Sequence, residues 1–440
     1  MPLRPRTPLA ANDPAQKTPP KGATKKGLLA SLGPGLITGA SDDDPSGIAT
    51  YSQVGAQFGY GMLWVMLVSY PLMCGIQEIS ATIGRVTGHG ISGNLRRHYP
   101  RIILYLLVFS VLVANIINLG ADIGAMGTAL ALVVPGPSLA YAAFFAVVSV
   151  VLQTIAPYDR YANVLKWLCA ALFAYVAVAF VVHVPWATAL RATVTPSLHW
   201  NADYMTSIVA VLGTTISPYL FFWQASEEVE IEEAAPAEHP LIMAPSEGQS
   251  QLQRIRVDTY SGMAFSNLVA WFIILTTAAT LHAHGLTNIA TATQAAEALR
   301  PIAGPFAFAL FALGIIGTGL LAVPVLAGSA AYAVGEALHW PVGLSRELMQ
   351  ARGFYGVIAA STLIGLALNW VHIDPIKALF WSAVINGVVA GPIMILMMLM
   401  ASNKKIMGEF TLRPAQKFWG WAATLVMLAA AVGLFATWKP

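Results

Sequence analysis

The sequence predicts an all-α polytopic membrane protein, and two observations carry that prediction. Of the 440 residues, 57% are apolar and only 10% are charged, where a soluble domain carries about 25% charge. No fold gives such a chain a water-soluble surface of ordinary polarity. The apolar residues also run in continuous stretches, and a spanning helix needs about 20 such residues. The short alternating segments of a transmembrane barrel are missing. An ordinary soluble enzyme and a single-anchor protein are both excluded, and a net charge of +3 implies nothing about nucleic acid.

Eleven apolar stretches follow one another. They lie near 30–57, 61–84, 102–134, 138–156, 163–183, 204–228, 258–281, 303–336, 353–371, 376–400 and 417–437. Breakers such as Pro100-Arg101, Pro135-Gly136-Pro137 and Gly304-Pro305 separate them. Residues 1–29 are rich in Pro, Lys and Ala and lack the apolar core of a signal peptide, so they read as a disordered basic tail. With the N-terminus inside, all but four of the 24 Lys and Arg fall on the inner side, the exceptions being Arg191, Arg300, Lys377 and Lys439. That asymmetry places the N-terminus in the cytoplasm and the C-terminus outside, and it supports the segment count. The long polar connection 229–257 reads as a solvated cytoplasmic loop. Its glutamates, from Glu227 to Glu238, also fit a place where cations collect. Cys74 and Cys169 sit in apolar runs and read as small buried side chains.

Ionisable groups inside spanning segments cost about 2.5–3.5 kcal/mol each and are functional candidates by default. The first segment holds Ser41-Asp42-Asp43-Asp44-Pro45-Ser46-Gly47 in its middle. Pro45 removes a backbone donor and clashes with the preceding turn, so the helix breaks there, freeing carbonyls beside concentrated negative charge. The sixth segment repeats the device with Gly213-Thr214-Thr215-Ile216-Ser217-Pro218-Tyr219. Pro45 and Pro218 open two blocks of five segments, 30–183 and 204–400, followed by an extra helix at 417–437. An odd number of segments per block inverts the second relative to the first, and paired broken helices in inverted halves point to a secondary transporter with its substrate at the breaks. Carboxylates, hydroxyls and freed carbonyls are hard donors suited to Mg, Ca or Mn. Three adjacent aspartates disfavour an anion.

Other polar residues lie at membrane depth. Asp122 shares a helical face with Asn118 and Asn115, and fits a proton relay or ion pathway as well as a structural hydrogen bond. Glu78 divides the same way. Asn115, Asn118 and Asn386 read as helix–helix hydrogen bonds.

At these residues the chain resembles the Nramp family of divalent-metal transporters. Leu32-Gly33-Pro34-Gly35-Leu36-Ile37, Asp44-Pro45, Phe58-Gly59-Tyr60 and Leu63-Trp64-Val65 follow the family's order and spacing. Ser80-Ala81, Val86-Thr87-Gly88 and Ile406-Met407-Gly408-Glu409-Phe410 continue it, with similarity over roughly 27–435. The resemblance implies a LeuT-like bundle of two inverted five-helix repeats that moves a divalent cation, usually with protons. It implies Asp44 as a ligand, with Thr214 (through its carbonyl) and Ser217 as ligands by position. The family's Asp-Pro-Gly-Asn reads Asp44-Pro45-Ser46-Gly47 here, so Gly47 stands where an asparagine ligand is usual. The sixth-helix Met-Pro-His reads Ser217-Pro218-Tyr219, replacing a thioether by a hydroxyl and a titratable His by Tyr219. A tenth-helix Gln becomes Ala383. Asp42, Asp43 and Glu78 are additional acids.

The expected protein is therefore a secondary-active carrier of a divalent metal cation of the Mn²⁺ or Mg²⁺ class, not an enzyme and without a cofactor. Asp42, Asp43 and Glu78 are expected as outer-shell or pathway groups, and Asp122 and Tyr219 as proton-relay candidates with coupling weak or absent. A monomer among membrane lipid, in the plasma membrane, is expected. The alternative keeps the fold and carries a small organic cation or amino acid.

Overall fold

The computed structural model describes residues 38–39, 41–155, 170–234, 238–371 and 374–438. The expected tail, Cys169, Arg160, Lys166 and Lys439 lie outside them. All regular elements among the described residues are helical. Ahead of the first break, 38–39 and 41–42 are helical. The helices of eight or more residues are α1 (Pro45–Phe58), α2 (Leu63–Thr87), α3 (Ile91–His98), α4 (Arg101–Ala131), α5 (Ser138–Ile155), α6 (Phe173–Val181) and α7 (Trp186–Val194). They continue with α8 (Ala202–Thr215), α9 (Pro218–Ala234), α10 (Gly248–Thr280), α11 (Ala307–Leu338), α12 (Arg352–Leu368), α13 (Pro375–Ala401) and α14 (Pro414–Thr437).

Among the described residues, nine stretches are long and apolar enough to cross a membrane. The first two expected segments share one of them, Pro45–Thr87, which folds back at Gly59. Gly59 has φ 56°, a conformation glycine adopts without a Cβ penalty. Of the expected fifth segment, the described part is Ala170–Val181, too short to span.

Both expected breaks are present, and local chemistry explains them. Asp44 caps α1, its carboxylate accepting from the Gly47 N–H, with Pro45 at the first helical position. There the missing proline N–H costs nothing. α8 stops at Thr215, Ile216 leaves helical geometry (φ −123°, ψ 58°), and Pro218 restarts the chain as α9.

Small residues bring the helices together, as packing within lipid requires. A Cβ on Gly213 of α8 would lie 2.1 Å from the Ala383 carbonyl of α13. One on Gly39 would lie 2.3 Å from the Gly262 carbonyl of α10, and one on Gly84 of α2 would lie 2.1 Å from the Ala225 carbonyl of α9. The two halves of each broken helix are thus set against their neighbours backbone to backbone.

The polar connection is shorter than the expected 229–257. α9 runs on through Ala234 and α10 begins at Gly248, and glutamates from Glu228 onward have partners on neighbouring elements. Glu228 pairs with Arg254. Glu230 accepts from the Tyr332 hydroxyl and from the Leu344 N–H at 2.7 Å, and Glu233 pairs with Arg346 at 3.1 Å. Fully buried Arg85, near the end of α2, meets Glu238 at 2.6 Å, Glu232 at 3.6 Å and Glu247 at 3.8 Å. The run looks like a loop because of its charge. It stays helical because each carboxylate faces a donor on a neighbouring element.

Gly213→Ala should destabilise the protein by about 1–3 kcal/mol, because the methyl group meets backbone that cannot yield cheaply. Gly356→Ala, where nothing lies within 4 Å of the added carbon, should be neutral or slightly stabilising. Melting curves of the two purified variants in detergent check this, and equal Tm values would refute it.

Candidate metal site at the two helix breaks

Asp44 sits at the centre of the first break with no exposure to solvent. Its Oδ1 accepts from the Ser46 hydroxyl and the Gly47 N–H, both at 2.7 Å. Its Oδ2 accepts from the Asn118 amide at 3.1 Å and the Tyr219 hydroxyl at 3.3 Å. Four donors therefore surround the carboxylate, two tightly and two loosely, the loosest being a Tyr219 hydrogen shared with a second acceptor. Tyr219 also donates toward the Ser41 carbonyl at 3.3 Å, so it ties the second break to the first. Asn118 is itself held, its Oδ1 accepting from Ser382 of α13 at 2.5 Å.

The second break contributes differently from the expectation. The Ser217 hydroxyl turns back on its own helix, 2.8 Å from both the Gly213 and Thr214 carbonyls. The Thr214 carbonyl, expected to face the cation, is thereby engaged by Ser217. The Thr214 hydroxyl is buried and has no hydrogen-bond partner. It lies 3.2 Å from where a Gly47 Cβ would stand, with the Asp42 carbonyl oxygen at 3.3 Å. Where the family pattern has an asparagine side chain, Gly47 therefore lets the Thr214 hydroxyl, the Asp42 carbonyl and the Tyr51 ring close in on the backbone, leaving no room for a larger residue.

Asp122 is buried on α4, and neither of its oxygens closes a hydrogen bond. It stands in the field of Asp44, and the Ser46 N–H approaches it without bonding. Asn115, on the same face, donates to Ser329 at 2.7 Å, which is the helix–helix role expected of it. Asn386 is also buried on α13, but both of its amide atoms lack partners. It lies one turn beyond Ser382 and on the same face. Asn118, Ser382 and Asn386 are the polar groups around the breaks that sequence reasoning undervalued. The signal available was their position at mid-segment.

Glu78 belongs to a different network. It accepts from Arg256 at 3.1 Å, Tyr260 at 3.0 Å and Gln416 at 3.0 Å, which joins α2 to α10 and α14. Asp42 and Asp43 share the Ser266 hydroxyl of α10, at 2.7 and 3.1 Å. None of the described ion pairs reaches Asp42, Asp43, Asp44 or Asp122. Among the described residues no three His, Cys, Asp or Glu side chains converge as a ready metal cage. An ion held here would rest on one or two carboxylates, neutral oxygens and its own water.

At the end of the bundle opposite Arg85, a cavity of about 270 Å³ opens between α1, α8 and α13, lined by Gln57, Asp203, Ser207 and Trp381 among others. An occluded polar centre between two broken helices, with a cavity at one end of the bundle and an ion-pair knot at the other, defines a membrane transporter of LeuT-like fold. The sequence profile described as "Natural resistance-associated macrophage protein-like" matches residues 35–437, and the chain belongs to the Nramp family.

The divalent metal cation transporter MntH of Klebsiella pneumoniae is 27% identical over 416 residues, 92% of this chain and 94% of that one. MntH of Deinococcus radiodurans is 26% identical over 418 residues, 93% and 90% of the two chains. Among solved structures, the Eremococcus coleocola manganese transporter superposes with a TM-score of 0.75 at 15% identity, covering 95% of this chain and 89% of that one. MhsT in complex with L-phenylalanine gives 0.65 at 13% identity, covering 91% and 98%. These last two likenesses concern the fold.

Proposed function

We propose that this chain carries a divalent cation of the Mn²⁺ or Mg²⁺ class across the plasma membrane by alternating access around Asp44. The observation that supports this reading most is the donor set. Buried oxygens from Asp44, Asp122, Thr214 and Asn386 gather at the breaks, several without partners, and no ion pair among the described residues neutralises the acids. All-oxygen sites of high negative charge suit hard divalent ions that keep some water. Relatives named as divalent metal cation transporters and a manganese transporter favour the same cargo. An amino acid of the kind bound by MhsT would bring its carboxylate among four buried acids, which repel it.

Asp44 is the principal ligand in this reading, and Thr214 contributes through its hydroxyl. Ser217 holds the freed carbonyls in place. Because Asp44 already accepts from four donors, a metal bound there would displace one of them, and the long Tyr219 contact is the one to yield. Tyr219 is a poor proton shuttle near neutral pH, since an unperturbed phenol titrates near ~10. Coupling to protons is therefore weak or absent, with Asp122 the remaining relay candidate. The distribution of Lys and Arg supports a cytoplasmic N-terminus and an outside C-terminus, and the proposed working unit is the monomer.

Radiotracer Mn²⁺ uptake into proteoliposomes tests the reading directly. Wild type should accumulate Mn²⁺ in competition with Mg²⁺, and a well-folded Asp44→Ala variant should fall to background. Uptake unchanged in that variant would remove the proposed site. Ser217→Met should move preference toward Cd²⁺, because sulfur offers little to hard ions. A wild type that already prefers Cd²⁺ strongly over both Mn²⁺ and Mg²⁺ would contradict the hard-site argument.

Tyr219→Phe frees one position on Asp44, so Mn²⁺ should bind about 2–10-fold tighter, the worth of one hydrogen bond of ~0.5–1.5 kcal/mol. Weaker binding in equilibrium titrations would show that the hydroxyl serves the metal rather than competing with it. For coupling, a pH-sensitive dye inside the liposomes should report little proton movement during Mn²⁺ uptake under a clamped potential. A strong metal-dependent flux abolished in Asp122→Asn would reverse that expectation.

A further inference from the structure

Asp42 and Asp43 take no part in the hydrogen bonds that hold Asp44, yet both are as deeply buried. Their only hydrogen-bond donor among the described residues is the Ser266 hydroxyl, 2.7 Å from Asp42 Oδ2 and 3.1 Å from Asp43 Oδ1. One hydroxyl carries one hydrogen, so two carboxylates share a single donor. Asp42 Oδ1 and Asp43 Oδ2 have none. Two further hydroxyls close by are also unsatisfied. Ser41 Oγ, adjacent in the chain, is buried without a partner. So is the hydroxyl of Tyr51, a fully buried residue in the second turn of α1.

The Tyr51 ring lies against Gly47, its Cε2 3.3 Å from the Cβ position where the Asp42 carbonyl also stands at 3.3 Å. Its hydroxyl is in the field of Asp42 and Asp43 as well as Asp44. It approaches the Thr214 hydroxyl without closing a hydrogen bond. Carboxylate oxygens and hydroxyls left without partners, with no positive side chain paired to them among the described residues, are the inverse of a self-satisfied core, where buried charges are paired or coordinate an ion.

We propose that Asp42 and Asp43, joined on Ser266, hold a second hard cation beside the one at Asp44 and separate from it. The charges agree. One divalent ion offsets Asp44 and Asp122, and Asp42 and Asp43 remain, to be balanced in full by a second divalent ion or in half by a monovalent one. The ligands are oxygens only, from two carboxylates and the neighbouring hydroxyls, so the occupant is a hard ion. It is either a second ion of the cargo or a monovalent ion such as Na⁺. The second site lies on the end of the first half-helix and against α10, whereas Asp44 faces α4 and α9. Occupancy at Asp42 and Asp43 thus joins the half-helix to α10 without using the groups that bind the cargo. The inference adds to the metal-transport reading and fails separately from it.

The test counts cations bound to the purified full-length protein, using radiolabelled Mn²⁺ and radiolabelled Na⁺ on wild type, Asp44→Asn, Asp43→Asn and Ser266→Ala. Wild type should bind two equivalents per chain, either two of Mn²⁺ or one of each ion. Asp44→Asn should lose one and keep the other, and Asp43→Asn should lose the one that Asp44→Asn keeps. Ser266→Ala, which removes a hydroxyl and should fold normally, should weaken only the second by about tenfold or more. One equivalent in wild type, abolished by Asp44→Asn, would overturn the second site and leave the transport reading standing. Two equivalents that survive unweakened in both Asp43→Asn and Ser266→Ala would also overturn it. No binding of either ion to wild type would overturn both.

Discussion

Asp42, Asp43, Asp44 and Asp122 lie out of reach of solvent, and no Lys or Arg is paired with them among the described residues. Removing an unpaired carboxylate from water is among the largest penalties a protein interior imposes. The rest of the architecture answers to it. Two helices are interrupted so that N–H groups and hydroxyls can turn toward the acids. Tyr219 reaches across from the second broken helix, Asn118 comes from α4 with Ser382 of α13 behind it, and Ser266 is shared by two carboxylates. Neutral donors reduce the penalty without cancelling the charge, and what stays uncancelled is the attraction for a cation.

The helix breaks and the glycine contacts work together. A proline at each restart gives a fixed point about which the half-helices differ in direction, and the backbone contacts at Gly39, Gly84 and Gly213 leave no room for side chains to rearrange between them. Change at the site therefore passes through displacement of whole helices. The knot on Arg85 opposes such displacement at one end, where a buried guanidinium meets one carboxylate from α9 and two from the segment that follows it. At the other end the cavity between α1, α8 and α13 has no comparable ion pair among the described residues.

Much of this was legible in the sequence, and the limits of that legibility have physical causes. Proline beside polar residues at mid-segment marks a break whatever its surroundings, so Pro45 and Pro218 were readable. The direction of a side chain at a break was not, because helical phase is lost there. Ser217 turned back to its own carbonyls and Thr214 presented its hydroxyl instead. Period counting put Asn118 and Asp122 on one face of α4, but period says nothing of the opposite helix, so the bond from Asn118 to Asp44 was missed. Glu78 looked like a pathway acid because its partners, Arg256 and Gln416, are far away in sequence. The glutamates after Glu227 read as a loop because charge density outweighs periodicity when partners on other elements are unseen.

The sharing of donors across the bundle also bears on how the protein is made. The first segment emerges from the ribosome carrying three aspartates at its centre, a cost of roughly 7–10 kcal/mol for a helix inserted alone. The groups that relieve it belong to α4, α9 and α10, which are synthesised later. The first half-helix therefore settles at its final depth only after the chain has been extended through α10, and until then it stays where water or the insertion machinery can solvate the acids. The site is thus among the last parts of the protein to form, and its integrity reports on the assembly of everything before it.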